Sequence, residues 1–520
     1  MKTQDIRMID GEFEKRTPES QGISSRDILE CLEAIKATGE NVHSLHIFRN
    51  GFSVAGGSAL PFTDLSPRRV YSTMKSVIAL AVLFLVQEGM LSFEDRIADW
   101  FKEDVPADCP KELRELTLRQ TLNMSVGQFQ DALTIFHASR YGLGMIPFTQ
   151  REKMKDLPFD PKGMSLTQIF FSLPVEYKPG TRFHYVNTVP ELLIRLVTKA
   201  AGEDFINYLR PRLFEPLKVD LFNAQETMKD GWSPEAPSRG MYDHVETYLD
   251  GSTSVTTAKD LCKFALFLLQ KGRWEGRQLL SEELVTEATS MLMPTWMEEG
   301  RDEFQAYGYG MQIWRNPFGG FSLLGGSGQA AVAVPEEGLM VVYTSMNTHL
   351  AAEGTKMPEI VRDYIVKRLY GTALPEDPEG LAAMEKCFKE WSTAPEGLSA
   401  YADGEDALAG RYVLKEPCDG ITAAGFDFKN ALVRIEQGSR RCYLQYGLGG
   451  AFERNTQRPK MPAEGYSKVY GGDSLGCFAS GGWAENGTFV LQLQYGDDLR
   501  YFRYSFRFGP DGTAAVSRCS

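Results

Sequence analysis

The 520-residue sequence has only six histidines, and its eight cysteines (positions 31, 109, 262, 387, 418, 442, 477 and 519) form no CxxC pair. Without cysteine clusters, an HExxH signature or a glycine-rich phosphate loop, neither a metal nor a cofactor is expected. Scattered cysteines in a long chain suggest reduced thiols and hence a cytoplasmic protein. Positive charge is in short supply as well. The 56 Lys and Arg residues against 69 Asp and Glu leave a formal charge of -13, which repels phosphate backbones and anionic lipid, so nucleic acid is not an expected partner. No hydrophobic run is long enough to span a bilayer. The longest, Val77 to Val86, falls well below the roughly 20 residues required and reads as a buried helix. The first twenty residues mix both charge signs and lack the apolar centre of a secretory signal; export is left open if a preceding segment is missing. No internal repeat or low-complexity tract is present.

What is present is ordinary globular composition and a length that suits two or three domains. Residues 24–37, SSRDILECLEAIKA, place Ile28, Leu32 and Ile35 at helical spacing behind a serine cap. His46 to Phe48 and Phe52 to Ala55 flank Asn50-Gly51, a strong hairpin signal. A helix-rich middle extends from about 72 to 293, and the stretch from Tyr307 predicts three antiparallel strands. Strands at both ends with helices between imply an α/β sandwich whose sheet joins distant parts of the chain. The Pro- and acid-rich segment Thr372 to Glu379 marks a boundary. The expected division is an α/β domain over 1–371, a linker with a short helix over 372–409, and a small all-β barrel or sandwich over 410–520.

Three stretches could carry chemistry. In the first, Ser72 and Lys75 stand three apart at the start of the apolar helix, on one face. A serine hydroxyl is a weak nucleophile that needs an adjacent base, and only the neutral amine of a lysine can take its proton. The second is Tyr185-Val186-Asn187, on a loop after Pro179-Gly180 and before a helix expected near Pro190. A phenol near an amine can shuttle a proton, and an amide can hold both a lysine and a carbonyl. The third is Leu324-Gly325-Gly326-Ser327-Gly328-Gln329 between two strands, where glycines let a substrate approach the backbone. Taken singly, each has a bland alternative: a helix cap, a loop cap and a hairpin turn.

Taken together and in this order, the three resemble the serine beta-lactamase-like, penicillin-recognising family. That family includes class C beta-lactamases, D-alanyl-D-alanine carboxypeptidases, beta-lactamase-like carboxylesterases and 6-aminohexanoate-dimer hydrolases. The segments RVYSTMKSVIALAVLFLVQEGMLSFEDRIADWF, LTLRQTLNMSVGQ, YKPGTRFHYVN and YGYGMQIWR are similar to its characteristic stretches over roughly residues 17–370. The resemblance implies an antiparallel sheet flanked by helices with a helical subdomain. It implies Ser72 as acylated nucleophile, Lys75 as its base and Tyr185 as proton shuttle. Asn187, Leu324, Gly325, Gly326 and Ser327 would bind substrate, and the backbone N–H groups of Ser72 and Ser327 would form the oxyanion hole.

One departure matters. The family's third motif usually begins with Lys or His, which helps bind a substrate carboxylate, and here Leu324 stands in that place. Hydrolysis of a neutral ester, amide or short peptide is therefore expected ahead of beta-lactamase or carboxypeptidase activity. A non-catalytic penicillin-binding or sensor protein of the same fold is the reading from a different class. A second copy of the chain is left open as a partner. His43 and His46, three apart on a strand, face opposite sides and make a poor metal pair. His184 reads as a hydrogen-bonded loop residue, and Trp314, Tyr307, Phe136 and Tyr141 read as core before pocket lining.

Overall fold

Ser24 starts the first helix by accepting a hydrogen bond from the Arg26 N–H, and Gly39 ends it in the left-handed conformation. This is α1, Ser25–Thr38, with Ile28, Leu32 and Ile35 on its buried face. The computed structural model describes residues 5–66, 68–141, 157–219, 255–296, 305–347, 355–459, 477–495 and 501–519. After α1 come β1 (Val42–Arg49) and β2 (Phe52–Ser58). They are joined at Asn50-Gly51, where φ is 54° and 90°, the paired positive values that match the twist of a tight hairpin.

The sheet closes with strands from far along the chain. These are β3 (Gly308–Tyr309), β4 (Trp314–Arg315), β5 (Phe321–Gly325), β6 (Gln329–Val334) and β7 (Leu339–Ser345). The order across the sheet is β2-β1-β7-β6-β5-β4-β3, with every pairing antiparallel. Five strands thus follow Tyr307 where the sequence pattern predicts three. The additional β3 and β4 are two residues each and too short to show alternation.

Both faces of the sheet are covered. On β7, Leu339, Val341 and Tyr343 pack with α1 residues and the 357–365 segment. Met340 and Val342 between them pack with the helical middle. That period of two follows from the pleat. The central helix of the second core is α2 (Lys75–Gln87), buried from Lys75 through Leu85. A helix apolar on all sides has to lie inside a protein. It packs against α3 (Thr188–Ala201), and α4 (Ala258–Leu269) lies against the sheet at β6 and β7.

Helix α5 (Pro378–Lys389) packs on α1 and β2. Beyond it lie β8 (Gly410–Cys418), β9 (Ile421–Asp427), β10 (Leu432–Gln437), β11 (Arg440–Gln445) and β12 (Glu453–Asn455). They are followed by β13 (Cys477–Trp483), β14 (Phe489–Tyr495), β15 (Tyr501–Phe508) and β16 (Thr513–Cys519). The order is β11-β10-β9-β8-β16-β15-β14-β13-β12, antiparallel except between β8 and β16. The two edges of this curled sheet meet at Asn455. Its amide Nδ2 donates to the Gln445 carbonyl and its Oδ1 accepts from the Gln445 N–H, each at 2.8 Å. The interior is packed with rings, including Phe426, Phe428, Trp483, Phe489 and Phe506, so it is a filled, barrel-like core.

Candidate active site

Tyr71 has a φ of 48°, a conformation that L side chains seldom adopt outside functional or strained positions. This twist puts Ser72 on a single 3-10 turn, Tyr71–Met74, and α2 proper begins at Lys75. The sequence pattern places Ser72 on the α-helix itself; the left-handed residue before it prevents that. The consequence favours contact, because residues i and i+3 eclipse in 3-10 geometry. Lys75 Nζ donates to Ser72 Oγ at 2.8 Å, although the lysine is only 1% exposed.

The chain leading into this turn is anchored by Arg68, which is fully buried. Its guanidinium donates to Ser44 Oγ at 3.0 Å, to Thr344 Oγ1 at 2.9 Å and to the Thr63 carbonyl at 2.7 Å. Burial brings its pKa down to about 10, with Asp64 opposing the shift. Three separate pieces of chain, two of them strands, therefore fix the approach to Ser72.

Asn187 occupies the position before the first residue of α3, yet its side chain does not cap the helix. Asp131 does that job, accepting from the Thr188 N–H at 3.0 Å, and Asn187 Oδ1 accepts from Lys75 Nζ at 3.2 Å. The helix starts at Thr188, two residues ahead of the expected Pro190. Proline fits within a first turn because its missing N–H would have no partner there. Tyr185 is half-buried on the preceding loop, and Lys75 Nζ lies over its ring, 5.0 Å from the centroid. Ser72, Lys75, Tyr185 and Asn187, spread over two distant stretches, thus meet around Lys75 Nζ.

The glycine stretch closes the third side. β5 ends at Gly325, Gly326–Gly328 forms a 3-10 turn, and β6 starts at Gln329. A Cβ on Gly325 would lie 2.3 Å from the Val70 carbonyl oxygen and 3.1 Å from Thr73 Cγ2. Only glycine lets this strand end lie flush against the nucleophile turn. Ser327 sits at the tip with φ 62°, its carbonyl held by Ser345 Oγ at 2.7 Å, and the same hydroxyl reaches the Gly328 carbonyl at 2.8 Å. Leu324 is half-buried and packs against both cores of the sheet, so no charge is presented at that position.

The other residues weighed from sequence fall outside this cluster or behind it. His184 Nε2 lies 3.3 Å from the Phe129 carbonyl. His43 is buried beside the Phe62 ring at 4.5 Å, and His46 Nε2 is 3.3 Å from Asp64. Among the described residues no group of three or more His, Cys, Asp or Glu side chains could hold a metal ion. Phe136 is core, Tyr307 is exposed, and the Tyr141 side chain lies outside the described residues. Trp314 is buried but stacked on Tyr185, a contact that sequence reasoning missed. Its only forewarning was the density of aromatic residues in YGYGMQIW.

The antiparallel sheet flanked by helices and the helical middle define a fold of the beta-lactamase/transpeptidase-like type. The family described as Beta-lactamase matches residues 36–366, and the chain belongs to that family. A curated protein of Alkalihalophilus pseudofirmus, itself uncharacterised, is 24% identical over 314 residues, covering 57% of this chain and 78% of its own. Among solved structures, EstCE1, a hydrolase with promiscuous acyltransferase activity, is similar with a TM-score of 0.50 at 16% identity, over 66% of this chain and 99% of its own. The octameric penicillin-binding protein homologue from Pyrococcus abyssi has a TM-score of 0.46 at 16% identity, over 93% of this chain and 97% of its own. Among the described residues no helix is long and apolar enough to cross a membrane.

Proposed function

We propose that this protein hydrolyses a neutral ester or amide through an acyl-enzyme on Ser72. Neutral Lys75 takes the Ser72 proton as Oγ bonds to the carbonyl carbon. The carbonyl oxygen gains the negative charge and is met by the backbone N–H groups of Ser72 and Ser327. When the intermediate collapses, the bond to the leaving group breaks, and that group departs with a proton passed from Lys75 through Tyr185. Water then attacks the acyl carbon as Lys75 takes its proton, the bond from that carbon to Ser72 Oγ breaks, Oγ recovers the proton from Lys75, and the acid is released. Asn187 holds Lys75 and the substrate carbonyl.

The observation that carries this reading is the buried Lys75 amine at 2.8 Å from Ser72 Oγ and 3.2 Å from Asn187 Oδ1. A lysine that merely decorated the surface would extend to water. Leu324 favours neutral substrates, since it offers nothing to a carboxylate.

The test is intact-mass analysis after a fluorophosphonate, joined to a turnover screen of p-nitrophenyl esters, linear amides, D-amino-acid peptides and a cephalosporin. A single adduct on the wild type, its loss in Ser72→Ala with an unchanged circular dichroism spectrum, and ester turnover without cephalosporin turnover are expected. Full hydrolysis by Ser72→Ala would sink the assignment. A lasting adduct with no turnover of any substrate would make the protein an acyl-trapping receptor instead.

A further inference from the structure

Trp314 takes part in no step above, and at 4% exposure it could pass for core packing. Its ring, however, lies nearly parallel to that of Tyr185, with centroids 5.6 Å apart and planes 16° from parallel. The indole is itself held fast. Tyr309 meets it edge-on at 4.8 Å and Phe183 at 5.6 Å, and both of these rings are buried. Trp314 is also paired across the sheet with Tyr309 of β3 on one side and Ser322 of β5 on the other. Buried aromatic clusters of this kind hold their members in fixed rotamers.

Tyr185 differs from these ring neighbours in being half-buried. We propose, resting on the acyl-transfer reading above, that Trp314 is the positioning residue for Tyr185, its rigid indole setting the plane from which the phenol delivers a proton to the leaving group. Lys75 Nζ over the Tyr185 ring at 5.0 Å ties the stack to the group that takes the Ser72 proton. The strand pairing adds a second link, since β4 carries Trp314 and its partner β5 ends in the glycine turn at Ser327. One pair of strands therefore sets the position of the proton donor and of the oxyanion turn.

The prediction concerns selectivity and not activity alone. A p-nitrophenolate leaves without needing a proton, whereas an alkoxide or amine requires one in the transition state. General acid catalysis is worth about 10²–10⁴-fold, so removing the ring in Trp314→Leu should slow kcat on an ethyl ester or amide by about 10- to 100-fold. The p-nitrophenyl ester of the same acyl group should lose about threefold or less by the same reasoning. The alkaline and acid limbs of the kcat profile should shift for the ethyl ester only. Trp314→Phe, which keeps a ring in the stack, should restore the wild-type ratio between the two esters.

The decisive measurement is a cycle with Tyr185→Phe, because residues acting as a unit give non-additive losses. Expected is that Trp314→Leu adds nothing to the ethyl-ester defect of Tyr185→Phe. Equal loss on both esters, or full additivity with Tyr185→Phe, overturns the proposal. Fluorophosphonate labelling of Ser72, whose fluoride leaving group needs little acid, reports whether each variant is folded. Should the leucine variant fail to label, Trp314→Met, of similar bulk and without a ring, goes through the same cycle under the same criteria. A wild type that neither labels nor turns over any ester removes the reading of Ser72, a result distinct from any outcome of the cycle.

Discussion

At the scale of single residues, polar groups hold the site from behind. Asp64 shows how. Burial would raise its carboxyl, but attraction to His46, hydrogen bonds from His46 and Ser58, and the charge of Arg68 outweigh that and hold it far below the usual carboxylate range. The neighbouring Arg68 then ties the entry to the Ser72 turn to Ser44 and Thr344. A carboxylate whose pKa is lower folded than unfolded stabilises the fold above its unfolded value, and that stabilisation fades as pH falls toward the folded value. Thermal unfolding followed from about pH 5 down to about pH 2 should therefore show a fall in Tm that is shallower in Asp64→Asn. An identical acid limb in both proteins would refute the role given to Asp64. Ser72, Lys75, Tyr185 and Asn187 were legible as candidates because their spacing and order are properties of the chain. Arg68 and Ser345 were not, since a buried arginine and a strand serine look alike in sequence whatever they touch, and Trp314 was weighed but read as core before pocket lining.

At the scale of elements, the site depends on how closely two of them approach. The end of β5 lies against the nucleophile turn because Gly325 has no side chain, and a methyl group there would meet the Val70 carbonyl at 2.3 Å. Gly325→Ala should push the strand end away and cost about 1–3 kcal/mol, the usual range for overpacking. Urea denaturation reads the stability, and the rate of fluorophosphonate labelling should fall with it. Unaltered stability and labelling would mean that the contact yields without consequence. Helix α1, the β1–β2 hairpin and the apolar α2 follow from local patterns: a serine cap, Asn-Gly and an unbroken apolar run. What local pattern left imprecise were element ends shaped by neighbours. Ser72 lies on a 3-10 turn because Tyr71 is left-handed, and α3 begins early because Asp131, from another segment, caps it.

At the scale of the whole molecule, we propose two folding units, the region through α5, whose Met384 joins the core of α1, and the curled sheet of 410–520. The second closes its curled sheet through the paired hydrogen bonds of Asn455 with Gln445. Asn455→Ala removes both hydrogen bonds to the Gln445 backbone, a part-buried contact, at about 0.5–1.5 kcal/mol for each bond. Differential scanning calorimetry should show a transition of the C-terminal unit moved to lower temperature, with Ser72 labelling retained. A single transition moved as a whole would show that the two regions unfold together. The sequence by itself determined the fold class, the presence of a β-rich C-terminal region and the residues available for chemistry, because alternation, capping and motif order are written in short stretches. Only the tertiary structure decided that β1 pairs with β7, that Lys75 meets Asn187, and that Trp314 stacks on Tyr185. Those contacts join positions far apart along the chain, and their stability comes from burial and packing shared among many segments, which no local pattern records.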